Sequence, residues 1–340
     1  MGSEQRKETG NMVGIPLSPS FEVNYNAYAF PASVNPRGQL SFRADELAHA
    51  LFATGRAPGD RYRYGSASIW EWLYRPSLIP AYIRRRPYGA LTRSRLAQEL
   101  DRSELVGLSY ALGTAMTAIF CRQVLDVSHL LHIDRYASTY GVVFGTGRKR
   151  ADLFGRAPSG WVVAEAKGRS RAMERTLPEK LLDQKRSVLS IEYLPPWLAL
   201  GCVASFPTGQ NLVVDAYDPD EPAEDAIRLD HVTWDRYLYA YYQPFINALD
   251  AGDRLEDTLV EVPFETVDFG GFRVRLGLLR GVAELARETP ANDPAGFGEH
   301  VTELLASARQ REIRMFPDGS TIQTDWTEAI QTPDWLIGPE

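Results

Sequence analysis

Cysteine is nearly missing from this 340-residue chain: there are two, Cys121 and Cys202, both in apolar runs. Two cysteines cannot staple a small secreted domain or build a thiolate zinc site, so they read as buried thiols of a reducing compartment. Lysine is scarce too, because 32 of the 37 basic residues are arginine, whose planar fork suits phosphate. Residues 1–40 lack a basic segment followed by an apolar core, the mark of a secretory leader. One uncharged stretch, the 17 residues between Glu104 and Arg122, reaches the lower limit for a membrane span. Gly107, Ser109, Tyr110, Gly113, Thr114 and Thr117 dilute it, so it reads as a helix of the protein core. A cytoplasmic location without membrane contact is the expectation.

What is present is ordinary globular material, 44% hydrophobic and 24% charged, which excludes disorder and collagen-like repeats. The length suits one large domain or two smaller ones. The net charge of −7 argues against a polyanionic partner until it is divided by position. Residues 1–214 hold 27 basic and 18 acidic residues, a balance of +9, whereas 215–340 hold 10 and 26, a balance of −16. Such asymmetry suggests a basic working part joined to an acidic one.

Residues 1–40 read as irregular. Helices are predicted over 44–54, over 66–75 and over 103–127, the last with Ser103 as its N-cap. Between 51 and 110, Tyr62, Tyr64, Tyr74, Tyr82 and Tyr88 interleave with Arg61, Arg63, Arg75, Arg84, Arg85, Arg86 and Arg93. Arginine can hold phosphates while aromatic rings stack on bases. The alternative is a solvated arginine-rich surface with tyrosines packed at its edges. Residues 138–144, 149–155 and 161–167 are predicted strands joined by Gly145-Thr146-Gly147 and Ala157-Pro158-Ser159-Gly160, an antiparallel meander. A helix over 177–193 and strands at 198–206 and 211–217 follow. The acidic remainder opens as a loop at 218–227. It continues with a helix at 232–249 and with strand pairs 258–263/271–277 and 311–316/320–324. Helices at 278–288 and 299–310 lie between those pairs.

The meander carries the informative chemistry. Side chains alternate along a strand, so Glu165 and Lys167 share a face while Val162, Ala164 and Ala166 point the other way. The midpoint between Asp152 and Glu165 falls between Pro158 and Ser159, the centre of the predicted turn. In that register the two carboxylates stand opposite each other, with Cβ atoms about 4.5–5.5 Å apart. A one-residue slip would separate them. Paired carboxylates repel unless a cation joins them, and hard oxygen donors suit Mg²⁺ or Mn²⁺. Such an ion polarises a phosphoryl oxygen and acidifies water, and Lys167 could orient that water or stabilise transition-state charge.

GRKRADLFG followed by WVVAEAKGR resembles the PD-(D/E)XK, or restriction-endonuclease-like, nuclease superfamily over roughly residues 103–217. Ala151 stands where the motif has proline. The resemblance implies an α/β fold whose core runs helix, three-stranded antiparallel meander, helix, strands, flanked by a basic, aromatic region (1–102) and an acidic α+β region (218–340). It implies Asp152, Glu165 and the Ala166 carbonyl as Mg²⁺ or Mn²⁺ ligands, with Lys167 catalytic. Glu104 is the candidate for an added acidic ligand from the first core helix, and Gln184, beside Lys180 and Lys185, for an added catalytic group. Arg148, Lys149, Arg150, Arg169 and Arg171, with Arg84, Arg85 and Arg86, are the candidates for holding a nucleic-acid backbone. The implied activity is metal-dependent hydrolysis of nucleic acid, DNA before RNA, in bacterial defence or DNA processing. A protein partner or homo-oligomer is compatible with it. The competing reading is an inactive nuclease fold that binds nucleic acid or helps assemble a larger complex.

Three other features read as structural. Gly145-Thr146-Gly147-Arg148-Lys149 lacks the spacing of a phosphate loop. His129, His132 and Asp134 are closely spaced, as metal ligands can be, but read as packed side chains. Trp234, Tyr237, Tyr239, Tyr241 and Tyr242 recur at helical spacing and read as mostly core.

Overall fold

The computed structural model describes residues 18–55, 64–140, 151–171, 186–207, 211–218, 222–254 and 263–333. The fold is mixed α/β. In chain order the first elements are β1 (Ser20–Tyr28), β2 (Arg37–Arg43), α1 (Ala44–Ala53), α2 (Ser66–Tyr82), β3 (Ile83–Arg85) and β4 (Leu91–Arg93). Next come α3 (Arg95–Glu99), α4 (Arg102–Leu125), β5 (Leu130–His132), α5 (Ile133–Tyr140), β6 (Leu153–Ala157) and β7 (Gly160–Arg169). They are followed by β8 (Arg186–Ile191), β9 (Leu198–Ser205), β10 (Val213–Tyr217), β11 (Pro222–Leu229) and α6 (Trp234–Leu249). The last are β12 (Asp253–Arg254), β13 (Phe264–Phe269), β14 (Val274–Leu279), α7 (Arg280–Glu288), α8 (Phe297–Gln310), β15 (Ser320–Thr324) and α9 (Thr327–Gln331).

The central sheet has seven strands in the order β2-β1-β10-β9-β7-β6-β5. It is antiparallel except at β7–β9 and β1–β10. Strands from both sides of residue 102 therefore belong to one sheet. β1 and β2 correct the irregular reading of residues 1–40. Phe21, Val23, Tyr25 and Ala27 are buried in alternation along β1, the period of a half-buried strand. A second sheet, β12-β13-β14-β15, gathers the acidic end of the chain.

Helix α4 is long and apolar enough to cross a membrane, but 67% of that apolar window is buried inside the protein. It packs as a core helix on β7 and β9. Its N-cap is Asp101 rather than Ser103: the Asp101 carboxylate accepts the Ser103 and Glu104 N–H groups, and Glu104 accepts the Asp101 N–H in return. This capping box satisfies donors that the helix start would otherwise leave unpaired.

The meander exists with a different first strand. Residues 138–140 lie in helix α5, 141–150 fall outside the described residues, and the strand beside β6 is β5. Ile133, Tyr136, Ala137 and Tyr140 recur at i, i+3, i+4 and i+7, so the helical period prevails over the β-rich composition of STYGVVF. Of the helix expected over 177–193, residues 177–185 lie outside the described residues. Residues 186–191 are instead β8, paired in parallel with β11, which replaces most of the predicted loop 218–227. β13 (Phe264–Phe269) lies six residues beyond the strand expected at 258–263, of which 258–262 fall outside the described residues. It pairs with β14 (Val274–Leu279), two to three residues beyond 271–277, around the predicted Gly270-Gly271 turn. Residues 311–316 are not a strand, and β15 pairs with β14. The predicted helices at 44–54, 278–288 and 299–310 are present as α1, α7 and α8, and the helix at 66–75 is present but extends to Tyr82.

Helix α6 binds the C-terminal part to the meander through rings. Tyr237 lies 4.9 Å from Phe154 and 5.2 Å from Trp161, and it stacks on Trp234 at 5.3 Å. Its hydroxyl donates to the carbonyls of His129 and Phe154, which removes the cost of burying it. The tyrosines of α6 are core, as their spacing predicts.

Candidate functional site

The hairpin β6–β7 forms in the register that its spacing predicts. Ala157 pairs with Gly160 across the two-residue turn Pro158-Ser159, and Leu153 pairs with Ala164. One step further on, Asp152 stands opposite Glu165. β6 begins at Leu153, so no ladder carbonyl is available to the Ala166 N–H at that level. The Asp152 Oδ2 takes its place, accepting that N–H at 2.9 Å. A strand residue sends its N–H and C=O towards the same neighbour, so the Ala166 carbonyl leaves the strand on the Asp152 side. Glu165 and Lys167 share a face, with Lys167 Nζ 4.0 Å from Glu165 Oε1, and both remain partly open to solvent. Asp152 is thus tied to the Ala166 backbone and Lys167 to Glu165, at neighbouring positions of the two strands where β6 starts.

The opposite face of β7 fixes this geometry. Ala166 is buried there, and Gly113 and Gly168 let α4 lie directly on the strand. A Cβ on Gly113 would stand 2.6 Å from the backbone of Lys167 and Gly168, and one on Gly168 would overlap the Ser109 carbonyl. Neither a slide of β7 nor a tilt of α4 is open to so close a crossing.

The other sequence candidates divide clearly. Glu104 is exposed and serves the capping box at its own helix end, about 7.5 Å along the helix axis from Ser109. Among the described residues no group of three or more His, Cys, Asp or Glu side chains gathers as a metal site. Gln184, Arg148, Lys149 and Arg150 lie outside the described residues. Arg169 ends β7 and is exposed, as is Arg171 beyond it. Arg84 Nη1 donates to the Pro80 and Ile83 carbonyls, and Arg85 Nε to the Ser20 carbonyl. These bonds orient the guanidinium groups on the hairpin. Arg93, the last of the arginines interleaved with tyrosine, lies on β4. It is 8% exposed, lies over the Phe206 ring at 4.6 Å, and its buried Nε has no hydrogen-bond partner.

Neither closely spaced histidine is placed as a metal ligand. His132 Nδ1 accepts the Asp134 N–H, and His129 Nε2 bonds the Tyr242 hydroxyl at 2.8 Å. His129 belongs to a buried polar network that the sequence does not announce. The Asp318 carboxylate meets His49 Nε2 at 2.8 Å and accepts the Tyr241 hydroxyl at 2.6 Å, while Tyr242 donates to the Asp318 carbonyl. Burial pushes the Asp318 carboxyl up, but the facing His49, together with His129 and the Tyr241 hydroxyl, outweighs it and holds the group below the usual carboxylate range.

Burial pulls His129 down to about 4, with the Asp318 charge opposing that shift and Arg309 and His49 adding to it. The unfolded imidazole titrates near 6.5, so below that pH the unfolded chain binds a proton that the folded chain refuses. Stability therefore falls between pH 6.5 and about 4, by about 2 kcal/mol at pH 5. Asp318 adds no slope in that window, because its folded and unfolded pKa values both lie below it. Urea midpoints at pH 7 and pH 5 check this: His129→Gln should flatten the difference, and an unchanged slope in that variant refutes the assignment.

Comparison of the chain with protein-family models, with curated proteins and with solved structures finds no match.

Proposed function

We propose that the protein is a Mg²⁺- or Mn²⁺-dependent nuclease that hydrolyses phosphodiester bonds of DNA, with its site at the start of β6 and the middle of β7. One observation carries the reading: the hairpin register that sets Asp152 opposite Glu165, with Lys167 beside Glu165 and the Ala166 backbone turned towards Asp152. The element order supports it as well. Helix α4, strands β5, β6 and β7 and a strand parallel to β7 follow the order that the PD-(D/E)XK resemblance implies, with α5 inserted between β5 and β6 and with β8 at 186–191, where that core has a helix.

The donor set fits a hard divalent cation, which takes one or two carboxylates and completes its shell with water and substrate phosphate. Asp152, Glu165 and the Ala166 carbonyl would hold it. When bound, the cation supplies Lewis-acid polarisation of the phosphate and a more acidic water. The rest is done by the chain's own groups. The Ala166 N–H fixes the Asp152 carboxylate. Glu165 holds Lys167 close to the reacting phosphate, where the ammonium stabilises developing negative charge. Arg169, two residues further on the same face and about 7 Å away, holds the backbone of the bound strand.

The test is cleavage of plasmid and single-stranded DNA with Mg²⁺, with Mn²⁺ or with EDTA. Cleavage with either ion and none in EDTA is the expected result. Cleavage that persists in EDTA sinks the metal reading. DNA binding with no cleavage under any condition favours the second reading, a binding or assembly subunit, which the lack of a third clustered carboxylate among the described residues also favours.

A further inference from the structure

The hairpin β3–β4 presents a residue that the fold does not use. Tyr88 at its tip is 97% exposed and sits at φ 62, ψ 18, in the left-handed region that disfavours every residue with a Cβ. No burial compensates for that strain. The turn around it is nevertheless fixed. Arg86 N–H donates to the Ala90 carbonyl and Gly89 N–H to the Arg86 carbonyl. Gly89 follows at φ 83, pressed so close to Glu22 that a Cβ there would stand 2.9 Å from its Cγ. A strained, exposed aromatic ring on a rigid turn is a feature to be explained by what it meets.

The surroundings say what that is. No Asp or Glu occurs between Glu71 and Glu99, while Arg84, Arg85, Arg86 and Arg93 all lie on or beside the hairpin strands. Arg85 Nε donates to the Ser20 carbonyl, which ties the hairpin to the start of β1. Arg93 is nine-tenths buried with an unpartnered Nε and no carboxylate bonded to it among the described residues. Its pKa is lowered first by burial and then by the nearby charge of Arg171. Phe206, which lies under Arg93, follows the Ser205 that pairs with Arg169, so Arg93 and Arg171 stand at the same end of β7, and two like charges there favour an anion.

The hairpin also stands beside the proposed site. Leu212 N–H donates to the Leu91 carbonyl, Thr92 bridges to Asn211 and Ala90 to Glu22. These contacts seat the hairpin at the end of the sheet where Arg169 on β7 pairs with Ser205 on β9, and Ser205 with Val213 on β10. Lys167 and Arg169 step along β7 towards it, and Arg171 follows just past the strand end.

We infer that the β3–β4 hairpin clamps the substrate strand: the Tyr88 ring stacks on a nucleobase, and Arg93 with Arg171 receives a backbone phosphate of the same strand. This rests on the nucleic-acid reading above but not on catalysis. Arginine neutralises phosphates and a ring stacks on any base, so the clamp takes DNA without regard to sequence.

The experiment is fluorescence anisotropy of fluorescein-labelled DNA oligonucleotides, single-stranded and duplex, in EDTA so that binding is read without cleavage. Tyr88→Ala should weaken binding about 5- to 150-fold, the range of ~1–3 kcal/mol per stacked base. Tyr88→Phe and Tyr88→Trp should keep it. Tyr88→Gly should weaken binding while its melting temperature stays level or rises, because glycine relieves the left-handed strain. Arg171→Gln should lower the slope of log affinity against log salt by about 1. The clamp is overturned by Tyr88→Ala binding as tightly as wild type, by Tyr88→Phe losing as much as Tyr88→Ala, or by wild type binding neither oligonucleotide. Tyr88-dependent binding in a protein that never cleaves DNA upholds the clamp and removes only the catalytic reading.

Discussion

Lys167→Met is expected to lower metal-dependent cleavage by about 10²- to 10³-fold, the usual loss when one preorganised charge-stabilising donor is removed from a site. The fold should be almost indifferent to the change. Lys167 is partly exposed, and its 4.0 Å pairing with Glu165 is of a kind that contributes 0–1 kcal/mol. Methionine keeps the length of the stem that lies along β7. The substitution therefore separates chemistry from structure: rate falls, while melting temperature and DNA binding in EDTA do not. Asp152→Asn should act differently. It keeps an acceptor for the Ala166 N–H but loses charge, so its deficit should shrink as Mn²⁺ or Mg²⁺ is raised, whereas the Lys167→Met deficit should not. The two losses should not add in the double variant if the groups act as one unit. A Lys167→Met protein that cleaves at the wild-type rate ends the nuclease assignment at this site.

The hairpin was legible from sequence because two independent patterns agree on it. Alternation in WVVAEAK sets which side chains share a face, and the Pro158-Ser159 turn sets the register, so Asp152 and Glu165 follow by counting. Where one pattern had to serve alone, composition misled. STYGVVF is rich in β-forming residues, yet Tyr136, Ala137 and Tyr140 complete an apolar helical stripe that begins at Ile133, and tertiary packing follows the stripe. In β1 the alternation Phe21, Val23, Tyr25, Ala27 is present but interleaved with asparagines that suggest turns. The N-cap could be read two residues before Ser103, since Asp101-x-x-Glu104 is itself a capping-box pattern. What no local pattern reveals is the contact between remote positions. His49 and Asp318 are 269 residues apart, and nothing near either predicts the other. The same holds for Arg93 above Phe206, whose burial comes from the docking of the β3–β4 hairpin on the sheet rather than from its own neighbours.

Gly168→Ala is expected to destabilise the protein by more than ~3 kcal/mol, at or above the upper end of ordinary overpacking. The added methyl would fall on the backbone of Ser109, and no rotamer change can move a backbone carbonyl out of the way. Either α4 lifts from β7, opening the core around Ala166 and Cys202, or β7 shifts, carrying Glu165 and Lys167 with it. Both responses also damage the proposed site, so residual folded protein should show impaired cleavage although no catalytic group has changed. Gly107→Ala is the control on the same helix. Nothing lies within 4 Å of a Cβ at Gly107, so only helix propensity acts there, and stability should rise by up to ~1 kcal/mol. Denaturant midpoints of the two variants should therefore move in opposite directions. If Gly168→Ala is as harmless as Gly107→Ala, α4 does not rest on β7 as described, and the rigid backing assigned to the carboxylate pair goes with it.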